Sequence, residues 1–330
     1  MPYHSLFLTT LASGTIMALS SNHWIYIWMG LEINLLSFIP LILHSDKNQE
    51  IEAATKYFLI QALGSALILL SSFSILFNPF SIFSANITNY FLMFALMIKM
   101  GVAPFHFWLP QIMTSISWVS CAILATWQKI APLFIIASIT SSLYSKIIMT
   151  VAMISTLVGG LGGLNQTHLR PLLAYSSIGH LGWMIAASMM SMSMTLIYFL
   201  IYCLMTLSIM LISNNQSSKK NYISSLTNSS VPLILSLMIL FLSLGGLPPL
   251  LGFLPKWLMI KTLIYQKMYL FISVMIIGSL ISLFYYLSIF FNLFLNYSLK
   301  TYENKSMPSM LVTMSILSSL TLGMPPLFIL

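Results

Sequence analysis

Apolar stretches about twenty residues long follow one another along almost the whole chain, and each has the length of a membrane crossing. They cover residues 3–20, 24–43, 53–77, 89–110, 114–143, 147–164, 171–190, 194–212, 232–263, 269–297 and 309–328. Only 5% of the 330 residues are charged, against about 25% in a soluble domain. The two soluble domains that length alone would suggest are therefore excluded. Backbone groups in lipid must be satisfied internally, which helices do without closing into a barrel. The chain is expected to be an all-α polytopic membrane protein with about eleven transmembrane helices.

The connections sort into two sets. Residues 44–52, 165–170, 213–230 and 300–308 carry Lys47, Lys219, Lys220, Lys300 and Lys305, whereas 21–23, 78–88, 144–146, 191–193 and 262–268 carry only Lys146 and Lys267. Basic loops stay on the cytoplasmic or matrix side, which places the first set and the N-terminus there, and an odd span count puts the C-terminus opposite. The net charge of +8 arises from 13 basic and 5 acidic residues. No basic run exceeds Lys219-Lys220, so these lysines orient the chain and nucleic acid is not a partner. The N-terminus has no basic signal region and no Arg-rich amphipathic stretch, so the first span is expected to be retained. Cys121 and Cys203 lie in apolar segments without CxxC spacing, which excludes thiolate clusters and redox motifs.

The informative charges lie within the spans: Glu32, Lys99, Lys129 and Lys256. Lys99 is about ten residues, roughly 15 Å of helix, from either end of its span. Its stem, roughly 6 Å long, does not reach an interface. Insertion scales put such a charge at about 2.5–3.5 kcal/mol, so four oppose insertion by roughly 10–14 kcal/mol. One reading is structural, with Glu32 pairing to a lysine and fixing helix register. The other is a hydrated proton or ion path, the default for ionisable groups in a membrane. An opposite charge about 4 Å away at an effective dielectric of 20 contributes about 4 kcal/mol, enough to switch a site between holding and releasing a proton. His180 falls mid-span near Tyr175, Ser176 and Ser177, and is either a packed histidine or a relay. His106, beside a proline-rich break, is equally open. His4, His23, His44 and His168 lie near interfaces.

Gly101–Pro110 and Gly246–Pro255 both read G-x2-P-x5-P, with leucine before the second proline, and stand 145 residues apart. Five spans separate them, so the copies run in opposite directions. The expected architecture is two inverted five-helix repeats, residues 1–146 and 147–300, each with a broken helix, plus one C-terminal helix in 301–330, all within a single membrane domain. Proline in a helix removes a donor and clashes with the preceding turn. Paired Gly/Pro-interrupted spans point to a transport site, although simple packing kinks would leave the same pattern. No phosphate loop, HExxH or metal-spaced cluster occurs. The glycines of Gly159–Gly163 lack a dinucleotide fingerprint and suit close helix packing.

The stretches WMGLEINLLSFIP, KMGVAPFHFWLP, WQKIAP, GGLNQTHLRPLLAYSSIGHLGW and SLGGLPPLLGFLPKW run from Trp28 to Trp257. In order and spacing the sequence resembles the antiporter-like proton-pumping subunits of NADH:ubiquinone oxidoreductase (complex I), and among them subunit 2 in its shortened, eleven-helix animal form. The resemblance implies a core membrane-arm subunit that translocates protons across the mitochondrial inner membrane. Glu32 and Lys99 would form the pair of a first half-channel, Lys129 the central lysine, Lys256 the lysine of the second half-channel, and His180 a link. It further implies that NADH, FMN, Fe–S clusters and ubiquinone belong to other subunits, with no cofactor bound here. Subunits 4L and 4 would be the neighbours, cardiolipin a bound lipid, and the N-terminus would face the matrix. A coupling spacer that carries no proton and a multi-subunit cation/proton antiporter are the alternative readings.

Overall fold

The computed structural model describes residues 2–43, 48–76, 85–139, 145–216, 231–248 and 250–298. The expected C-terminal span, residues 309–328, and the loops carrying Lys47, Lys219, Lys220, Lys300 and Lys305 lie outside them. Among the described residues there are thirteen helices and no extended strand: α1 Pro2–Ser20, α2 Trp24–Ile42, α3 Asn48–Leu76, α4 Ala85–Met100, α5 Trp108–Ser115, α6 Trp118–Ala125, α7 Trp127–Ile139, α8 Ser145–Gly163, α9 Leu169–Met190, α10 Met192–Gln216, α11 Val231–Gly245, α12 Phe253–Tyr265 and α13 Tyr269–Ser298.

Among the described residues, six stretches are long and apolar enough to cross a membrane: Trp24–Ile42, Asn48–Ser74, Trp118–Ile139, Lys146–Gly163, Met192–Asn214 and Tyr269–Leu295. Their outer faces carry large side chains such as Leu59, Leu63 and Leu70 on α3 and Phe284 on α13, all exposed, as lipid-facing surfaces do. α9 is long enough but carries Arg170, Tyr175, Ser176, Ser177, His180 and Ser188, which lower its hydropathy. Most of it is buried instead, with Ser176, Ser177, His180 and Ser188 all inward, so its polarity is spent on protein neighbours rather than lipid. Hydroxyls within the spans return to their own helix: Ser71 Oγ donates to Ile68 O at 2.8 Å and Ser155 Oγ to Ala152 O at 2.9 Å.

The helices cluster into two units, Met1–Ser141 and Ser142–Leu330. In the first, α2 packs on α1 and α3, α3 on α4 and α5, and α7 on α1, α4 and α6. In the second, α9 packs on α8 and α10, α10 on α11 and α12, and α13 on α8 and α11. Element boundaries follow the same interval. α2 and α9 begin at Trp24 and Leu169, α4 and α11 end at Met100 and Gly245, and α5 and α12 begin at Trp108 and Phe253, each pair 145 apart. His23 and His168 precede α2 and α9 in extended backbone, and neither side chain caps its helix.

Small residues set the closest helix approaches. A Cβ built on Gly30 would lie 2.7 Å from Gly14 O, and one on Gly159 2.5 Å from Gly179 N. Lipid tails are as apolar as leucine, so this close backbone packing, not hydrophobic exclusion, holds membrane helices together.

The expected span 114–143 is interrupted. Ser117 caps α6 by accepting from Ser120 N at 3.3 Å, and the backbone turns at Thr126, whose hydroxyl donates to Ala122 O at 2.6 Å. Pro132 then withholds the N–H that would close on the Gln128 carbonyl. Lys129 therefore stands in the first turn of α7 rather than at the middle of one continuous helix.

Candidate functional site

Both proline-rich segments break their helices in the same manner. α4 ends at Gly101 (φ 71°), where Gly101 N and Val102 N both donate to Met97 O, at 3.1 and 3.2 Å. α11 ends at Gly246 (φ 81°), where Gly246 N and Leu247 N both donate to Leu242 O, at 3.2 and 3.4 Å. Glycine tolerates this left-handed backbone, and the paired bonds close the helix end. Seven residues, 101–107 and 246–252, then precede α5 and α12.

Glu32, Lys99 and Lys129 are charged side chains that lie well inside apolar spans of the first unit. Lys99 is 7% exposed and Lys129 2%. The Lys99 stem lies on Gly64 of α3, its Cγ 3.1 Å from where a Cβ would stand, and Gln61 Nε2 donates to its carbonyl at 3.2 Å. Glu32 on α2 acts electrostatically on both Lys99 and Tyr57, yet makes no ion pair with Lys99 within 4 Å. Its Oε2 is buried with no hydrogen-bond partner. Beside it, Gln128 Nε2 donates to Asn34 Oδ1 at 2.7 Å, and Tyr57 OH donates to Gln128 Oε1 at 3.4 Å. Asn34 is two residues from Glu32 and Gln128 is next to Lys129, so this polar seam joins α2, α3 and α7.

Around the second break Lys256 and His180 face one small cavity, about 10 Å³ in volume, with Thr156, Ser176, Ser282 and Tyr286. That is room for about one water-sized molecule. Lys256, 7% exposed, extends back from the first turn of α12, and its Nζ donates to Gly245 O at 2.9 Å. A cation at the last carbonyls of a helix is where the helix dipole favours it. His180 Nδ1 is 3.1 Å from Tyr198 OH, and its ring centroid is 5.3 Å from that of Tyr202. At the far end of the loop, a Cβ on Gly252 would land on the carbonyl oxygen of Ser243 and 3.2 Å from the Met205 sulfur.

Comparison with known proteins decides the family. The family described as "NADH:quinone oxidoreductase/Mrp antiporter, TM" matches residues 21–282. The chain is 42% identical over 333 residues to the NADH-ubiquinone oxidoreductase chain 2 of Lumbricus terrestris, covering 100% of this chain and 98% of that one. It is also 42% identical to the same chain of Anopheles gambiae, covering 96% and 94%. The chain belongs to the NADH-ubiquinone oxidoreductase chain 2 family.

Chains of solved structures share the fold. A chain of respiratory complex I from Thermus thermophilus with bound aureothin superposes with a TM-score of 0.84 at 25% identity, over 98% of this chain and 79% of that one. A chain of the Mrp complex from Dietzia sp. shares the fold at a TM-score of 0.76 and 17% identity, over 92% and 61%.

Of the residues singled out by sequence in this chain 2 relative, Glu32 acts electrostatically on Lys99, Lys129 follows Gln128 of the polar seam in sequence, and His180 and Lys256 line the second unit's cavity. His180 meets Tyr198 of α10 rather than the neighbouring Tyr175 of its own helix. His106 lies in the first break with Nδ1 buried and unpartnered, its ring 4.2 Å from that of Phe107. Sequence reasoning did not single out Asn34, Tyr57, Gln61, Gln128, Tyr198 or Tyr202. A signal existed: Tyr57 and Gln61 on α3, like Tyr198 and Tyr202 on α10, are polar groups one turn apart, and Tyr57 and Tyr202 stand 145 residues apart.

Proposed function

We propose that this chain is a proton-translocating membrane-arm subunit of respiratory complex I. The observation that carries the reading is the burial of Lys99, Lys129 and Lys256 inside apolar helices, two of them against helix breaks, in a member of the chain 2 family. Burying a charge here opposes insertion, and a site for a moving proton is the function that accounts for it. Glu32 biases Lys99, Lys99 and Lys129 exchange charge within the first unit, and Lys256 with His180 carries the proton in the second. A proton moved against the membrane potential requires about 2.3 kcal/mol per 100 mV, within what making or breaking one close ion pair supplies.

The finer assignments belong to the same proposal. The membrane is the mitochondrial inner membrane, with the N-terminus on the matrix side. The architecture is eleven spans arranged as two inverted repeats, a reading supported by the 145-residue interval and the parallel packing in each unit. The neighbours are subunits 4L and 4, with cardiolipin on the lipid face. NADH oxidation by FMN and Fe–S clusters and reduction of ubiquinone take place in other subunits, and this chain binds no redox cofactor.

The test is the intact complex carrying Lys129→Met, reconstituted in sealed vesicles. Protons translocated per NADH oxidised are expected to fall while the complex assembles in normal amount. A full ratio from an assembled Lys129→Met complex overturns the reading in favour of a spacer.

A further inference from the structure

His180 enters its cavity with one ring nitrogen already engaged. Nδ1 lies 3.1 Å from Tyr198 OH. Two tyrosines of α10, one turn apart, hold the ring, Tyr198 edge-on at 6.1 Å and Tyr202 tilted at 5.3 Å between centroids. His180 lines the cavity and Tyr198 does not. Nδ1 is therefore turned to α10, and the opposite edge of the ring, which carries Nε2, is turned to the space shared with Lys256. Tyr198 is 2% exposed, and among the described residues its hydroxyl has His180 Nδ1 as its hydrogen-bond partner. A buried phenol hydrogen left without an acceptor is costly. The hydroxyl therefore donates, Nδ1 accepts, and the one hydrogen of the neutral ring sits on Nε2. Charging the ring would put a second hydrogen on Nδ1 and strand that of Tyr198. It would also set two cations against one cavity with room for about one water.

Among the described residues, the groups that face His180 come from four neighbouring helices. α10 presents Tyr198 and Tyr202, α12 presents Lys256, and α13 presents Tyr285 and Tyr286. α8 presents Thr156 and α9 itself Ser176, neither of which titrates. No carboxylate lines the cavity to favour an imidazolium. We propose that Tyr198 is a positioning residue that keeps His180 neutral, with its hydrogen on Nε2 directed at the cavity it shares with Lys256. The moving proton then rests on Lys256. Once Nζ has given that proton up, its lone pair needs a donor, and Nε2–H of His180 supplies one across the cavity. The proton leaves Nζ and returns to Nζ, and no covalent bond to His180 is made or broken. The proposal rests on the proton-translocating reading above and divides the work of the two residues that it places in the second unit.

The test uses the intact complex, native and with Tyr198→Phe. Phenylalanine keeps the ring against His180 and removes only the hydroxyl. The first readout is exchange of the His180 Cε1 hydrogen for deuterium over a series of pH values, followed by mass spectrometry. Its midpoint reports where that ring takes up a proton. The native midpoint is expected to lie below the ordinary histidine value of about 6.5. Tyr198→Phe should raise it by about one pH unit, what one hydrogen bond supplies. The second readout is protons translocated per NADH. The ring is charged below its midpoint, so this ratio should fall in Tyr198→Phe as the pH is lowered from about 8 to about 6, and stay level in the native complex. Adding His180→Gln, a side chain that cannot charge, should abolish that pH dependence, which a packing defect would not do. A native midpoint at or above the ordinary value, or one that Tyr198→Phe leaves unchanged, overturns the proposal. If Tyr198→Phe does not assemble, the native midpoint decides. A full proton ratio in Lys256→Met would instead overturn the functional reading, while the midpoints still decide the role of Tyr198.

Discussion

A buried lysine in this chain is held by backbone as much as by other charges. Lys256 Nζ rests on Gly245 O at 2.9 Å, and the Lys99 stem lies on Gly64. Lys256→Met keeps the stem and removes the ammonium. The variant complex is expected to assemble and to translocate fewer protons per NADH in reconstituted vesicles. Packing glycines behave differently on the two sides of one contact. A Cβ on Gly159 would stand 2.5 Å from Gly179 N, whereas a Cβ on Gly179 would have 3.9 Å to Gly159 Cα. Gly159→Ala should therefore destabilise the fold by about 1–3 kcal/mol, the usual penalty for overpacking, and Gly179→Ala should be close to neutral. Thermal unfolding of the detergent-solubilised complexes measures the difference. Glu32, Lys99, Lys129 and Lys256 were legible in sequence because a charge within an apolar run contradicts its surroundings. Asn34, Tyr57 and Gln128 were not, because neutral polar residues are common in spans, and what marks these three is contact across 71 to 94 residues of chain.

At the level of the helix, the two breaks share a backbone but differ in what covers the glycine. A Cβ on Gly101 would meet the Trp108 ring at 2.9 Å, and one on Gly246 would meet Lys256 Nζ at 2.9 Å. Both substitutions force an L-residue into left-handed backbone, at about 1–2 kcal/mol. Gly101→Ala also pushes on a rigid indole, so it should chiefly reduce the amount of assembled complex, read on native gels. Gly246→Ala pushes on the flexible end of a lysine. Its assembly should be affected less, and its proton ratio more. The breaks themselves were legible because glycine and proline act locally. The turn at Thr126 was not, since neither of those residues marks it and an apolar run from 114 to 143 reads as continuous.

For the whole molecule, the all-helical membrane fold followed from hydropathy, whereas the pairing of helices did not. Hydropathy shows that a segment faces lipid somewhere, but not which neighbour it packs against. The 145-residue interval recovers part of that, because equal spacing in sequence recurs as equal packing in each unit. Single cysteines at Asn22 and Asn165, in a background without Cys121 and Cys203, test the inverted arrangement. An impermeant maleimide is expected to label them from opposite faces of the membrane, and labelling of both from one face would exclude inversion.

The contact at Gly252 bears on how such a machine can move. The second loop leaves α11 at Gly246 and ends pressed onto the carbonyl of Ser243 and beside Met205 of α10, with no room for even a methyl group between. So close a contact braces the start of α12 against the end of α11. On the proposed function, proton movement past this point would then fall to the side chains of Lys256, His180 and their tyrosine neighbours rather than to bending of the backbone at this loop.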